Sequence, residues 1–478
     1  MYTLSSKLRL FSIIFMVVGL IGIVVGFITT PNTEAEIKEM MAAHDSHGGH
    51  QEEEHSEQSV QQNIVDHESE SSDQEAAGHR EQSAHLNTVG HEGESSAHGD
   101  AGHAETSHGD SHMEHTLHQY INKPWSALYI AAFFFFMISL GALAFYAIQY
   151  AAQAGWSPLL LRVMEGITAY LLPGGVIVFV ILAITGFTHW NHLFVWMDPE
   201  VVAGDKLLQG KESYLNVPFF LIRAAIFITG WSLYRHFARK YSLKQDDADD
   251  NYWHKKSFKG AAIFLVFFIV TESIMSWDWI MSVDPHWFST LFGWYVFAGM
   301  MVCAITVMAM ITIYLKSRGY LLEVNDSHIH DLAKFMFGFS IFWTYLWFSQ
   351  FMLIWYSNIP EEVTYFITRI EDYKLPFFGM IVMNFIFPVL LLMNSDYKRI
   401  NWFVIMAGII ILAGHYIDVF VMIMPATVGE SWFIGIPEIS SMLFFLGLFL
   451  FIVFSALTKA PLVPKRNPLI GESKHFHY

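Results

Sequence analysis

The sequence predicts an all-α integral membrane protein of ten transmembrane helices. Three observations predict it. Ten stretches are apolar for about 20 residues or more, the length that crosses a bilayer. Only 15% of the 478 residues are charged and the mean hydropathy is +0.36, where soluble chains carry about 25% charge. The acidity is also local: residues 31–122 hold 20 Asp/Glu against 2 Lys/Arg, so they account for the whole net charge of −17 and leave the rest at +1.

The apolar stretches fall near 8–30, 124–150, 159–187, 216–235, 259–281, 289–315, 332–357, 374–394, 400–424 and 440–458. The first, with its core from Leu10 to Ile28, exceeds a signal-peptide h-region and has no small-x-small cleavage site before Pro31, so residues 1–30 read as an uncleaved anchor. Residues 31–122 form an insert with 14 of the 24 histidines and Tyr120 as its only aromatic residue. It cannot bury enough apolar surface to offset its ordering entropy, which predicts a disordered segment. Nine spans follow in 123–460, then a tail, 461–478.

Orientation follows from Lys and Arg, which favour the cytoplasmic side. With both termini inside, that side carries 19 of them, seven between Arg235 and Lys259, against 7 outside; Arg223 lies within a span. The insert is then periplasmic. Asp-Pro recurs beyond the third and fifth spans, at Asp198-Pro199 and Asp284-Pro285, each after a Trp-rich exit. Interfacial aromatic belts with helix-stopping prolines account for this, and duplicated bundles are the alternative. Pro173 and Pro388 read as packing kinks.

Several function classes drop out. No basic patch is rich enough to neutralise nucleic-acid phosphates, and such apolar runs are foreign to a soluble enzyme. The single cysteine, Cys303, excludes an internal disulfide and thiolate-held zinc or iron–sulfur clusters, which need several. No phosphate-cradling loop, nucleophile elbow or metalloprotease helix is present.

Ionisable residues inside the hydrocarbon region are costly and mark candidate sites. Glu272 lies about 13 residues into the fifth span, roughly 20 Å from its inner end at 1.5 Å per residue; Asp278 follows near the outer interface. Arg223 lies about two turns into the fourth span. His415 and Asp418, three residues apart, share a face of the ninth, and Gln350 belongs to the seventh. All fall in the outer half, while Glu165 falls near the cytoplasmic face. Three meanings are open: a structural ion-pair network, with Arg223 bound to Glu272 or Asp418; a proton route loading at Glu165 and releasing through Glu272, His415 and Asp418; or a quinol headgroup site. His189, His192 and His286 read as interfacial polar contacts. Haem ligation by this chain is not expected, because only His415 lies at depth. In the insert His47, His50, His103, His108, His112 and His115, spaced beside carboxylates, suit weak capture of zinc, copper or nickel; a solvated acidic tether is the blander reading.

The stretch from Glu272 through Trp277-Asp278-Trp279 and Asp284-Pro285-His286-Trp287 to Gly293-Trp294-Tyr295, with Gly414-His415-Tyr416-Ile417-Asp418, resembles the ActF subunits of bacterial alternative complex III. These belong with the NrfD-like, polysulfide-reductase-type membrane subunits. The likeness covers roughly 124–460 and leaves out the His-rich insert. It implies two four-helix bundles flanked by additional helices, in a respiratory quinol:cytochrome c, or other electron-acceptor, oxidoreductase of the bacterial cytoplasmic membrane. It also implies a sister NrfD-like subunit, ActC, that oxidises quinol or menaquinol, iron–sulfur and multihaem c-type cytochrome subunits, and a soluble cytochrome or haem–copper oxidase as acceptor. ActF in this family is a scaffold and proton path, so the chain is expected to bind no redox cofactor and not to be catalytic alone. Glu272, Asp278, His415 and Asp418 match the motif; Arg223 and Glu165 are added from depth. The alternative from another class is a divalent-metal transporter with a His-rich external loop.

Overall fold

A computed structural model describes residues 2–31, 36, 103–188 and 190–477, the side chains of 103–115 excepted. Every regular element among them is helical, and ten of the helices are long and apolar enough to cross a membrane. They are α1 (Ser6–Thr29), α2 (Thr116–Ala151), α3 (Pro158–Thr188), α4 (Val217–Asp247), α5 (Tyr252–Val283), α6 (Phe292–Ser317), α7 (Asp326–Ser357), α8 (Lys374–Leu392), α9 (Asn401–Ser431) and α10 (Ile436–Leu457). The all-α, ten-span fold class is thus the observed one.

The chain divides into two units, Met1–Thr30 with His118–Tyr478, and Pro31–Leu117. Of the second, the described backbone from His103 onward is helical and continues into α2. This corrects the expected boundary: residues 103–122, counted with the disordered insert, are helix. A composition too polar to build a core does not prevent propagation from an apolar nucleus, since each added residue gains one hydrogen bond for one fixed residue. The remaining insert, with His47 and His50, lies outside the described residues.

In the first unit the interior is built on α2 and α6, whose most apolar windows are 94% and 89% buried. Both are apolar all round, the pattern of a helix enclosed by others. Gly141 brings the two backbones close: a Cβ there would lie 2.6 Å from the Met300 carbonyl oxygen. Helices α3, α4, α5 and α6 pack in succession on one side, and α6, α7, α8 and α9 pack together on the other. α1 lies along α10, which also meets the start of α3. The α1–α10 seam is made of small residues: Cβ atoms at Gly19 and Gly26 would strike Phe444 and Pro437. Without a hydrophobic force between helices in lipid, such close backbone approach supplies the packing.

Local signals set the helix ends. The Ser5 hydroxyl accepts from the Leu8 N–H, the Asn216 side chain from Phe219 N–H, and Asn325 from Ser327 and His328 N–H, which satisfies donors that each first turn leaves open. The expected proline kinks are present as breaks in regular winding. A 3₁₀ turn, Thr168–Tyr170, precedes Pro173, and a π-helical turn, Val382–Ile386, precedes Pro388, where the ring removes a donor and crowds the carbonyl one turn back.

Both chain ends meet one face. Thr3 Oγ1 lies 3.3 Å from the Tyr320 hydroxyl, and the Ser473 hydroxyl donates to the Trp156 carbonyl at 2.7 Å. The opposite face carries the short helices Pro199–Gly204, Lys206–Lys211 and Pro360–Glu371. There the Lys211 ammonium donates to the Pro285 carbonyl at 2.6 Å.

Candidate functional site

A buried polar constellation is built around Asp418 in α9. The Trp343 indole N–H donates to Asp418 Oδ2 at 2.9 Å, His415 Nδ1 faces the same oxygen at 3.3 Å, and the Tyr295 hydroxyl donates to Oδ1. The one-turn spacing of His415 and Asp418 does what the sequence predicts. The Trp343 and His415 rings meet edge to face at 5.2 Å, and both residues are 0% exposed. Gly299 completes the wall, its missing Cβ 3.5 Å from His415 Nδ1.

Among the described residues His415 Nε2 has no partner, and neither have the two amide atoms of Asn384 or the Ser340 and Thr306 hydroxyls. Asn384 belongs to the π-helical turn of α8 and abuts Gly414, beside His415. Ser340 lies one turn before Trp343 on α7, and Thr306 meets Gly408 of α9. Buried polar atoms are nearly always hydrogen-bonded, so these open ones among α6, α7, α8 and α9 mark an interior whose hydrogen-bonding capacity the described residues do not fill.

At the opposite-face end of this site lies Arg369, from the Pro360–Glu371 helix. Its guanidinium donates to the Tyr365 and Met422 carbonyls at 2.8 and 3.4 Å and lies over the Tyr365 ring, 3.3 Å from its centroid. Tyr365 in turn stacks on Trp287 at 3.8 Å. Tyr295 ends the stretch that bears the resemblance, without a site role of its own there, while Trp343, Asn384 and Arg369 escape the sequence reading. Trp343 looks like ordinary aromatic packing and Arg369 like a loop cation; Pro388 alone hinted at irregular backbone near Asn384.

Arg223 binds neither Glu272 nor Asp418, the partners expected for it. It forms a two-pronged pair with Asp278, Nε to Oδ2 at 2.7 Å and Nη2 to Oδ1 at 3.1 Å. The guanidinium also donates to the Tyr214 carbonyl at 3.1 Å and stacks on the Tyr214 and Phe219 rings. The Tyr214 hydroxyl donates to Asp278 at 2.9 Å, and its pKa is pushed up to about 12 by burial and the neighbouring carboxylate. Fork-to-fork geometry explains the choice: Asp278 sits where α5 ends, within reach of both guanidinium prongs.

Glu272 stands apart from both groups. It is buried in α5, and its carboxyl accepts from the Ser276 hydroxyl at 3.1 Å and from Ser273 at 3.5 Å. No salt bridge joins it to a described cation. The residues expected together in the outer half are therefore three separate arrangements rather than one network.

Glu165 lies toward the face of the chain termini and is heavily paired. Arg162 and Arg239 contact its Oε2 at 2.8 and 2.9 Å, and the Tyr146 hydroxyl donates to Oε1 at 3.3 Å. Arg162 also binds Asp246 at 2.6 Å. This network joins α2, α3 and α4.

Of the remaining histidines, His192 stacks on His118 at 4.0 Å and faces Asp198 at 3.4 Å, and His286 meets Asp205 at 2.5 Å. His189 lies outside the described residues, as do the side chains of His103, His108, His112 and His115. Among the described residues no three His, Cys, Asp or Glu side chains are grouped to hold a metal ion. No protein-family model matches the chain, and no curated protein does.

Proposed function

We propose that this chain is an ActF-like membrane subunit of a quinol-oxidising respiratory complex, serving as scaffold and proton path. One observation carries the reading. The two stretches that bear the resemblance, 123 residues apart at Tyr295 and Asp418, meet in a single buried hydrogen bond.

On this reading the membrane is the bacterial cytoplasmic membrane, both termini are cytoplasmic, and the Asp418 site belongs to the periplasmic half. The electron carriers reside in partners: a sister quinol-oxidising subunit, iron–sulfur and multihaem c-type chains, and a cytochrome or haem–copper oxidase. The six candidate residues then divide by role. Arg223 with Asp278, and Glu165 with Arg162 and Arg239, tie helices together as fully paired ions. Glu272, His415 and Asp418 remain for protons: the His415 ring has an open Nε2 and a carboxylate on Nδ1, the arrangement that lets an imidazole take up and release a proton.

Mild detergent extraction of the native membrane, with affinity capture of this chain, tests the assignment. The expected eluate shows c-haem absorption and oxidises a quinol with reduction of an added acceptor. A chain recovered in native membranes with neither haem-bearing nor iron–sulfur partners would overturn it.

A further inference from the structure

Helices α3 and α4 leave an open groove between them. It has a volume of about 430 Å³ and runs along α4 from Ala225 to His236, roughly 16 Å at 1.5 Å per residue. That is the depth of one leaflet, half of a hydrocarbon core of about 30 Å. Leu172, Val176 and Leu233 in its wall are each about half exposed, so it opens sideways toward lipid. The lining is apolar for most of its length and ends on the exposed His236.

His236 lies toward the end of α4 nearest the chain termini, where the Gln245 side chain donates to the Arg466 carbonyl at 3.2 Å. Arg235, Arg239 and Lys240 fall within about one turn of it. Arg239 is held by Glu165, but among the described residues Arg235 and Lys240 enter no salt bridge. With Arg162 and its partners Glu165 and Asp246 included, four cations meet two carboxylates in this cluster. Arg235 and Arg239 also stand one turn apart on one helix, a like-charge spacing that destabilises by itself. Just beyond, Tyr241 and Trp253 stack at 5.5 Å, with the Lys244 ammonium 4.3 Å from the Trp253 ring. Such aromatic residues belong at headgroup level.

We infer that the α3–α4 groove binds one anionic phospholipid, with an acyl chain along its wall and the phosphate on His236 and Lys240. The apolar length suits a hydrocarbon chain, and the uncompensated cations at its end favour an anion there. Both contact residues are exposed, so the phosphate reaches them without any rearrangement. A zwitterionic phospholipid brings its own cation beside the phosphate and gains less. A free phosphate would leave the groove unfilled. The inference goes beyond the function proposed above and does not rest on it, since groove and cations belong to this chain alone.

The test uses the full chain, freed of native lipid in a neutral detergent, and equal amounts of dioleoyl phosphatidylglycerol and dioleoyl phosphatidylcholine. Native mass spectrometry counts the lipid retained. The wild type should hold one phosphatidylglycerol at least about five-fold better than phosphatidylcholine, the effect of one basic side chain near an anionic lipid. Lys240→Gln should lose that factor with unchanged melting temperature, because Lys240 is exposed and outside every salt bridge among the described residues. Lys255→Gln, also exposed but outside the groove, should lose none of it. Val176→Trp should fill the groove and lower the retention of both lipids. Equal retention of the two lipids by the wild type would overturn the inference. So would equal losses in Lys240→Gln and Lys255→Gln, the mark of a diffuse surface attraction, or unchanged retention in Val176→Trp. Displacement of the lipid by soluble glycerol phosphate would reduce the site to an anion contact and overturn it as well. The wild-type comparison decides the matter even where a variant fails to fold.

Discussion

Tyr295, in the first turn of α6, donates its hydroxyl to Asp418, midway along α9 and enclosed by Trp343 and His415. This bond closes the interior of the α6–α9 group at one end. It also leaves the carboxylate with three donors around it, while the histidine keeps one nitrogen open.

Asp418→Ala should be severely destabilising. It strands the Tyr295 hydroxyl, the Trp343 N–H and His415 Nδ1 in the buried interior, at about 1–3 kcal/mol for each unsatisfied group. Tyr295→Phe removes one bond and should cost about 1 kcal/mol. Thermal melting of detergent-solubilised protein ranks the two; equal shifts would show that Asp418 does not organise the site.

Arg223 and Asp278 form a buried pair, so Arg223→Leu or Asp278→Leu alone should cost about 3–5 kcal/mol by leaving an uncompensated ion. The double variant should recover most of that loss, as buried pairs replaced by apolar residues often do. Additive losses in the double-mutant cycle would mean that the two side chains are not coupled.

Glu272 has hydroxyl partners and no cation, so a neutral isostere keeps its hydrogen bonds. Glu272→Gln should fold and assemble with melting within about 1 kcal/mol of the parent, yet lower the protons released per quinol oxidised in vesicles. Unchanged stoichiometry would leave Glu272 a structural residue.

The Asp205–His286 contact should make the opposite-face helices acid-sensitive. The His286 hydrogen bond, followed by the Leu207 and Leu208 N–H groups, holds the Asp205 carboxyl below its ordinary value. A lowered folded pKa contributes stability above the unfolded value of about 3.9, and that contribution is lost as pH falls through the folded pKa. Hydrogen exchange across 199–211 should therefore quicken below about pH 4 in the parent. In Asp205→Asn it should be fast at neutral pH too, with the acid step gone.

The α1–α10 seam predicts that Gly19→Leu displaces the first helix. A side chain there meets the Phe444 backbone, with Cα 2.7 Å from the Cβ position, and backbone cannot yield as a flexible side chain can. Proteolysis near residues 30–36 should release the first helix on detergent washing in the variant and not in the parent.

The sequence by itself determined the ten helices, because hydropathy over some 20 residues is a local property and a helix is the one way a single such segment satisfies its own backbone in lipid. It determined which ionisable residues fall within the apolar helices, and the pairing of His415 with Asp418, which helical periodicity alone specifies. It did not determine that residues 103–122 are helical, since propagation depends on the helix they extend and not on their own composition. Nor did it determine partners between helices. Arg223 had three carboxylates at similar height, and only the packing of α4 against α5 chose Asp278. Glu165 looked like an open carboxyl until α3 and α4 brought Arg162 and Arg239 to it. Trp343 and Arg369 carry no signal in one dimension, because an aromatic ring or a loop arginine reads the same whether it faces lipid, water or a buried carboxylate. That choice belongs to the tertiary structure, which sets the distance between residues that the chain keeps far apart.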